Sequence, residues 1–489
     1  MIAGHTRCSS VPLFCIVTIL SIFTYMWNPI GYPDLRYDDG TYIGRAMHVV
    51  VTNSPQEGIF YDHPYFGQIL LAGIFWFVGY PDSLSPSVDE DILNSVKTLW
   101  LVPKILIGSF GVIDTVLIYK IAERRYNSRT VAFIASILFA VMPMWWSLRV
   151  LFLESLLLPL LLSSILFAIY VKNPENRGDG KKKENMSLVS ISGILMGLAI
   201  FTKIPVFAFM PLVACIIFIH SNKSLKALGL WFIPVLIIPL IWPTYALIQG
   251  HFDAWWEGVY WQTHRQDEGL TLKNVIVEQF SQAPIFYWLG LTGLAFAVIK
   301  KDYFLILWAF PFLIFLYLIG FVRDFHLVPL LPAFCIAASR IIVGLSAYIS
   351  HQKVRRILRF SIISAIAVFG LANIVPQLAS NENDSKFALA AFVTRYLKDH
   401  REDNITVISS HIYSWIPKYV FGPGNIDYKI PEDIRPLENE KVMLVVDDAF
   451  RLVTSLDNSM GESLRSIYNL YNTNETTKID IGQDKVLVR

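Results

Sequence analysis

Cysteine and charge are scarce in this 489-residue chain. The four cysteines, Cys8, Cys15, Cys215 and Cys335, lie in or beside apolar segments and none forms a Cys-x-x-Cys pair. That excludes a disulfide framework and a structural zinc site, and predicts free, buried thiols. Charged residues are only 16% of the chain and the formal net charge is +2, which leaves no basic patch for nucleic acid. No internal repeat of the kind that marks many secondary transporters is visible. What the chain has instead is apolar sequence, 54% hydrophobic and 14% aromatic, the composition of an integral membrane protein.

Runs of roughly 20 apolar residues, enough to cross about 30 Å of hydrocarbon, mark about eleven spans. Their centres fall near residues 19, 111, 138, 160, 194, 212, 237, 292, 312, 337 and 367. The first has no small-residue cleavage site and polytopic sequence follows it, so it reads as a retained helix. Residues 66–78 are apolar but short and read as a helix lying along the membrane surface. Lys and Arg collect at every second gap, around Arg124 and Arg125, in 172–183, at Lys223 and Lys226, at Lys300 and Lys301, and in 353–359. The positive-inside rule makes these gaps cytoplasmic, with the N-terminus. Residues 28–99, 250–283, 322–325 and everything after about 376 then lie outside.

From about residue 379 the composition turns polar. Period-two apolar runs at 405–408 and 442–446, with helical patterns at 387–398 and 463–470, predict a small extracytoplasmic α/β domain over 379–489, behind a transmembrane domain of residues 1–378. Triplets at Asn383, Asn404 and Asn474 have the form of glycosylation sequons on that side.

The ionisable residues that interrupt apolar sequence gather at the predicted outer face. Asp38 and Asp39, in Tyr37-Asp38-Asp39-Gly40-Thr41-Tyr42, open the first outer loop, and Asp62-His63-Pro64 follows in it. Arg149 and Glu154 lie at the turn between spans three and four, Lys203 between five and six, and Arg323 to His326 before span ten. Charge at bilayer depth is costly, so these residues are expected to line one polar cavity, where Arg and Lys suit a phosphate. Each also has a plainer reading. Asp38-Asp39 fits a helix N-cap ahead of 40–51, which is compatible with catalysis. Adjacent helical side chains diverge by about 100°, so one aspartate is expected to act and the other to orient or bind. Arg149 also fits an interfacial snorkelling residue, Lys203 the end of a span, His63 a turn, and the cluster Trp255, Trp256, Tyr260 and Trp261 an interfacial aromatic belt.

Taken in order, these motifs resemble the polytopic C-type-fold (GT-C) glycosyltransferases of family 39, the protein O-mannosyltransferases and lipid A aminoarabinose transferases. The likeness covers roughly residues 10–350. It rests on the acidic pair with Tyr42, on Tyr61-Asp62-His63-Pro64-Tyr65, on Arg149 with Glu154, on Gly197-Leu198-Ala199 leading to Lys203, and on His326 before Pro329 and Pro332. Three positions depart from the usual family pattern: Asp39 for Glu, Tyr65 for a second proline, and Glu154 for Asp. The large mid-chain outer insertion of many eukaryotic members is absent. That and the compact tail point to a prokaryotic plasma membrane more than an endoplasmic reticulum.

The resemblance implies a fold of about eleven membrane helices with interfacial helices in loop 28–99. It also implies transfer of a sugar from a dolichyl- or undecaprenyl-phosphate donor to a hydroxyl of a protein, glycan or lipid at the outer face, with inversion. In that reaction Asp38 is the general base and Asp39 supports it, Arg149 and Lys203 hold the donor phosphate, and Tyr42, His63, Glu154, Arg323 and His326 bind substrate or shape the site. A divalent cation is compatible with acids beside a phosphate, although no ligand set is visible. The rival classes are a lipid or solute transporter, or flippase, without transfer chemistry, and a noncatalytic subunit of a glycosylation complex.

Overall fold

The computed structural model describes residues 11–80, 92–142, 145–171, 185–265, 271–421, 426–429, 441–455, 459–473 and 476–488. Cys8, the basic run at 172–183 and the start of the Asn474 triplet lie outside the described residues.

The described chain is mainly helical. Its helices are α1 (Val11–Met26), α2 (Tyr37–Thr52), α3 (Phe66–Phe77), α4 (Ile92–Tyr126), α5 (Arg129–Ala140), α6 (Leu153–Tyr170), α7 (Met186–Thr202), α8 (Met210–His220), α9 (Leu225–Ile248) and α10 (Phe252–Thr263). They continue through α11 (Leu272–Gln282), α12 (Pro284–Ile299), α13 (Tyr303–Ile319), α14 (Leu331–Ala347), α15 (Gln352–Leu378), α16 (Asp384–Asp399), α17 (His411–Trp415), α18 (Asp448–Thr454) and α19 (Ser459–Tyr471). Among the described residues, 5 helical stretches are long and apolar enough to cross a membrane: α4, α6, α9, Asp324–Ala347 and α15. The other six predicted centres fall in shorter apolar helices, α1, α5, α7, α8, α12 and α13.

Helix breaks have identifiable chemistry. Pro205 follows the end of α7 and a tight turn, Ile204–Phe209, replaces the next helical turn; Pro329 lies inside a similar turn, Asp324–Leu330, ahead of α14. A proline ring cannot donate the backbone hydrogen bond that would carry the helix on, so chain direction changes at these points. The first break leaves Lys203 at its start and the second turn carries Asp324 and His326, polar side chains in otherwise apolar sequence.

Five strands, β1 (Ile405–Ile408), β2 (Ile426–Lys429), β3 (Lys441–Val446), β4 (Thr477–Ile481) and β5 (Asp484–Val488), form one sheet in the order β2-β1-β3-β5-β4. The first three are parallel and the β5 and β4 pairings are antiparallel. Alternation along β3 divides its side chains between two cores: Met443 and Val445 pack with Phe387 and Leu389 of α16, while Val442 and Leu444 pack with Leu464 and Ile467 of α19.

Two sequence expectations are corrected. Cys335 is buried, but Cys15 and Cys215 are exposed on the apolar outer surface of their helices. Asn383 is no glycan acceptor in this fold. Its side chain is fully buried and its Nδ2 donates to the carbonyls of Ile30 (2.8 Å) and Pro33 (2.9 Å), while its Oδ1 accepts from Leu35 N at 2.7 Å.

Candidate active site

The acidic pair opens α2. Arg36 precedes the helix and the Asp39 carboxylate accepts its amide at 2.9 Å, so capping is carried by Asp39 from the first turn. The other Asp39 oxygen takes Lys104 Nζ at 2.7 Å and the Leu151 amide at 2.9 Å, in a fully buried setting. Asp39 is thus spent on joining α2 to α4 and to the strand of chain before α6. Asp38, one residue and about 100° away on the helix, points into a cavity of about 420 Å³.

That cavity brings together residues far apart in the chain. Asp38 and Tyr42 come from α2, Asp62 and His63 from the loop before α3, and Glu154 from the first turn of α6. Lys203 comes from the break after α7, Arg265 from the end of α10, and Arg323 and His326 from the turn before α14. Its volume lies in the usual range of ligand pockets. One wall is apolar, built by Ile204, Pro205, Phe207, Phe315 and Ile319.

Charge in the cavity is partly matched. Lys203 Nζ meets Glu154 Oε1 at 2.5 Å, and the ammonium also lies 5.1 Å from the Phe325 ring centre. Arg45 Nη2 donates to Asp62 Oδ2 at 2.8 Å. Burial works to raise the Asp62 carboxyl, but the Arg45 guanidinium outweighs it and holds it down at about 2. Burial pushes the His63 imidazole down to about 3, so it is neutral. Asp38 behaves oppositely: burial lifts its carboxyl to about 6, Lys203 opposing and Glu154 and Asp39 adding to the rise. A carboxylate with that affinity for protons is suited to take one from a hydroxyl near neutral pH.

Arg265 stands between two rings, with its guanidinium carbon 4.0 Å from the Trp261 centre and 4.2 Å from that of Phe321. Such stacking fixes the plane of a fork suited to phosphate oxygens. Trp261 therefore works beside the cavity, whereas Trp255 packs on Trp242 at 5.6 Å.

Of the residues expected from sequence, Asp38, Tyr42, His63, Glu154, Lys203, Arg323 and His326 line the cavity, and Asp39 and Arg149 do not. Arg149 is almost fully buried, and its guanidinium donates to the carbonyls of Thr24 (2.8 Å), Trp27 (2.6 Å), Asn28 (2.8 Å) and Tyr32 (3.2 Å). It closes the end of α1, where the final helical carbonyls lack intrahelical partners. Sequence reasoning missed Arg45, Lys104 and Arg265. Arg45 had a signal, because Asp38, Tyr42 and Arg45 recur at i, i+4 and i+7 on one helical face. Lys104 had another, as a lone cation inside a span. No group of three or more His, Cys, Asp or Glu among the described residues could hold a metal ion.

Residues 15–249 match the family model of dolichyl-phosphate-mannose-protein mannosyltransferase. The matched stretch is just under half of the chain. No curated protein matches in sequence. In fold, the chain is similar to ArnT from Cupriavidus metallidurans in the apo state, with TM-score 0.59 and 13% identity over 98% of this chain and 97% of that one. The same protein bound to undecaprenyl phosphate gives TM-score 0.56 and 12% identity over the same shares. The archaeal oligosaccharyltransferase AglB from Archaeoglobus fulgidus, in complex with an inhibitory peptide and a dolichol-phosphate, gives TM-score 0.54 and 13% identity over 86% of this chain and 64% of that one. These likenesses establish the fold, the GT-C architecture. Residues 15–249 are thus similar to a mannosyltransferase family, and the described chain has the fold of multi-pass membrane proteins.

Proposed function

We propose that this protein is a glycosyltransferase that moves a sugar from a polyprenyl-phosphate donor to an acceptor hydroxyl at the outer face of the membrane, with inversion at the anomeric carbon. The observation that carries this reading is the composition of one cavity: a half-buried carboxyl with raised proton affinity, Asp38, faces basic residues and an apolar wall. The polyprenyl chain lies along Ile204, Pro205, Phe207, Phe315 and Ile319, and Lys203, Arg265 and Arg323 meet the phosphate. Polyprenyl phosphates bound to ArnT and AglB support that donor class.

The chemistry follows from charge. Asp38 takes the proton of the acceptor hydroxyl as its oxygen bonds to the anomeric carbon, while the bond to phosphate oxygen breaks on the opposite face. The departing phosphate monoester carries its own charge and is held by fixed cations, so no general acid is required. Arg45 pairs with Asp62 and Lys203 with Glu154, and Asp38 is the cavity carboxyl whose proton affinity is raised toward neutral pH. In this reading about eleven crossings place the N-terminus in the cytoplasm, and residues 379–489 form an extracytoplasmic unit.

The test is transfer by the purified protein from radiolabelled polyprenyl-phosphate sugars to cell-envelope acceptors. Asp38→Asn should abolish transfer while leaving expression intact and the melting temperature no lower than the parent's. Undiminished transfer would remove Asp38 from the mechanism, and vectorial movement of the lipid without transfer would favour a carrier.

A further inference from the structure

We propose that the C-terminal α/β unit is the positioning device for the helix that bears Asp38, with His411 as the positioning residue on which that helix is seated. This rests on the assignment of Asp38 as the base.

The seat is a backbone contact. Helix α2 lies against α17 so closely at Gly40 that a side-chain carbon there would collide with the carbonyl of His411 and come within 2.6 Å of the Cα of Ile412. Only hydrogen fits between them. One turn earlier, the Tyr37 ring stands edge-on to the His411 imidazole, centres 4.4 Å apart. Beyond the seat, Tyr42, Ile43 and Met47 share one buried cluster with Ile412, Tyr413 and Trp415.

The chain leading into α2 is gripped by the same unit. Asn383 holds the 30–35 turn through three backbone groups, and Lys386 Nζ binds Asp34 Oδ1 at 2.5 Å and the Leu35 carbonyl at 3.0 Å. On the other flank Asp39 is tied to Lys104 and Leu151. The first turn of α2 is therefore set between α4 and the C-terminal unit, and the direction of Asp38 is what remains. No residue beyond His326 lines the cavity among the described residues. An acceptor-binding role for the unit would place some of its side chains there; a positioning role needs none. Misplacement of a reacting group by about 1 Å is enough to cost on the order of 10²-fold in rate.

The experiment uses the full-length protein in lipid nanodiscs, with dolichyl-phosphate mannose as the probe donor. Gly40→Ala and His411→Ala should each lower kcat at least tenfold with donor KM changed less than twofold, and His411→Phe, which keeps a flat ring under Tyr37, should restore most of the rate. A second readout needs no donor. The pH at which the melting temperatures of Asp38→Asn and its parent diverge reports the Asp38 proton affinity, and Gly40→Ala should move it. If Gly40→Ala fails to fold, the His411 pair decides. Folded variants with unchanged kcat and an unchanged divergence pH would overturn the proposal. An Asp38→Asn protein that still transfers at the parental rate would instead overturn the base assignment, whatever the seat variants do.

Discussion

Asp38 and Asp39 carry the same carboxyl one residue apart, and their surroundings separate them. Asp39 meets an ammonium and two backbone amides and is committed to structure; Asp38 faces a cavity and holds its proton up to about pH 6. The sign of the linkage follows. A carboxyl whose folded value lies above its unfolded one stabilises the fold below about pH 4, and that contribution is lost as the pH rises through about 6. Asp38→Asn, which cannot ionise, is therefore expected to melt above the parent at pH 8, with the gap closing as the pH falls below about 4. Equal melting temperatures at pH 8 would show that the carboxylate carries no strain of desolvation. Transfer by the parent should fall away on the acid side with a midpoint near 6. The choice between the two aspartates was half legible in the sequence. Helical geometry required them to diverge, but that Lys104, a cation inside an apolar span, claims Asp39 is set only by the packing of α4 against α2.

At the scale of the element, the phosphate role that sequence suggests for Arg149 passes, in the proposed reaction, to Arg265. An arginine near a helix end looks the same in sequence whether it meets a phosphate or a ring of carbonyls, and only the approach of α1 distinguishes them. Arg149→Ala would leave these buried carbonyls without a donor, at a cost on the order of 3 kcal/mol. It should appear as a lower melting temperature with donor KM unchanged in the folded fraction. Arg265→Ala should instead raise donor KM about tenfold at constant melting temperature, the value of one charge-assisted hydrogen bond. Reversal of these two patterns would return the phosphate to Arg149. The elements themselves were readable where periodicity was long: β1, β3, α16 and α19 stand where alternation and helical spacing put them. Arg265 offered no such pattern, because its role comes from Trp261 and Phe321, which meet only in the folded chain.

For the whole molecule, charge asymmetry predicts the orientation, and labelling tests it. Asn381 and Lys301 are both exposed. In a protein freed of its own cysteines, Asn381→Cys should react with an impermeant thiol reagent added outside, and Lys301→Cys only after the membrane is opened; the opposite pattern would invert the assigned topology. The membrane part was legible because apolar length is a local property of sequence. The docking of the tail was not, because Gly40 and His411 carry no mutual signal. Asn383 has a last consequence. Its Nδ2 is occupied by the carbonyls of Ile30 and Pro33, 353 and 350 residues earlier in the chain, so a saccharide on that nitrogen and the closed native turn exclude each other. In a compartment that decorates such triplets during synthesis, sugar found at this asparagine would count the chains that were modified before they closed, making the sequon a recorder of folding order.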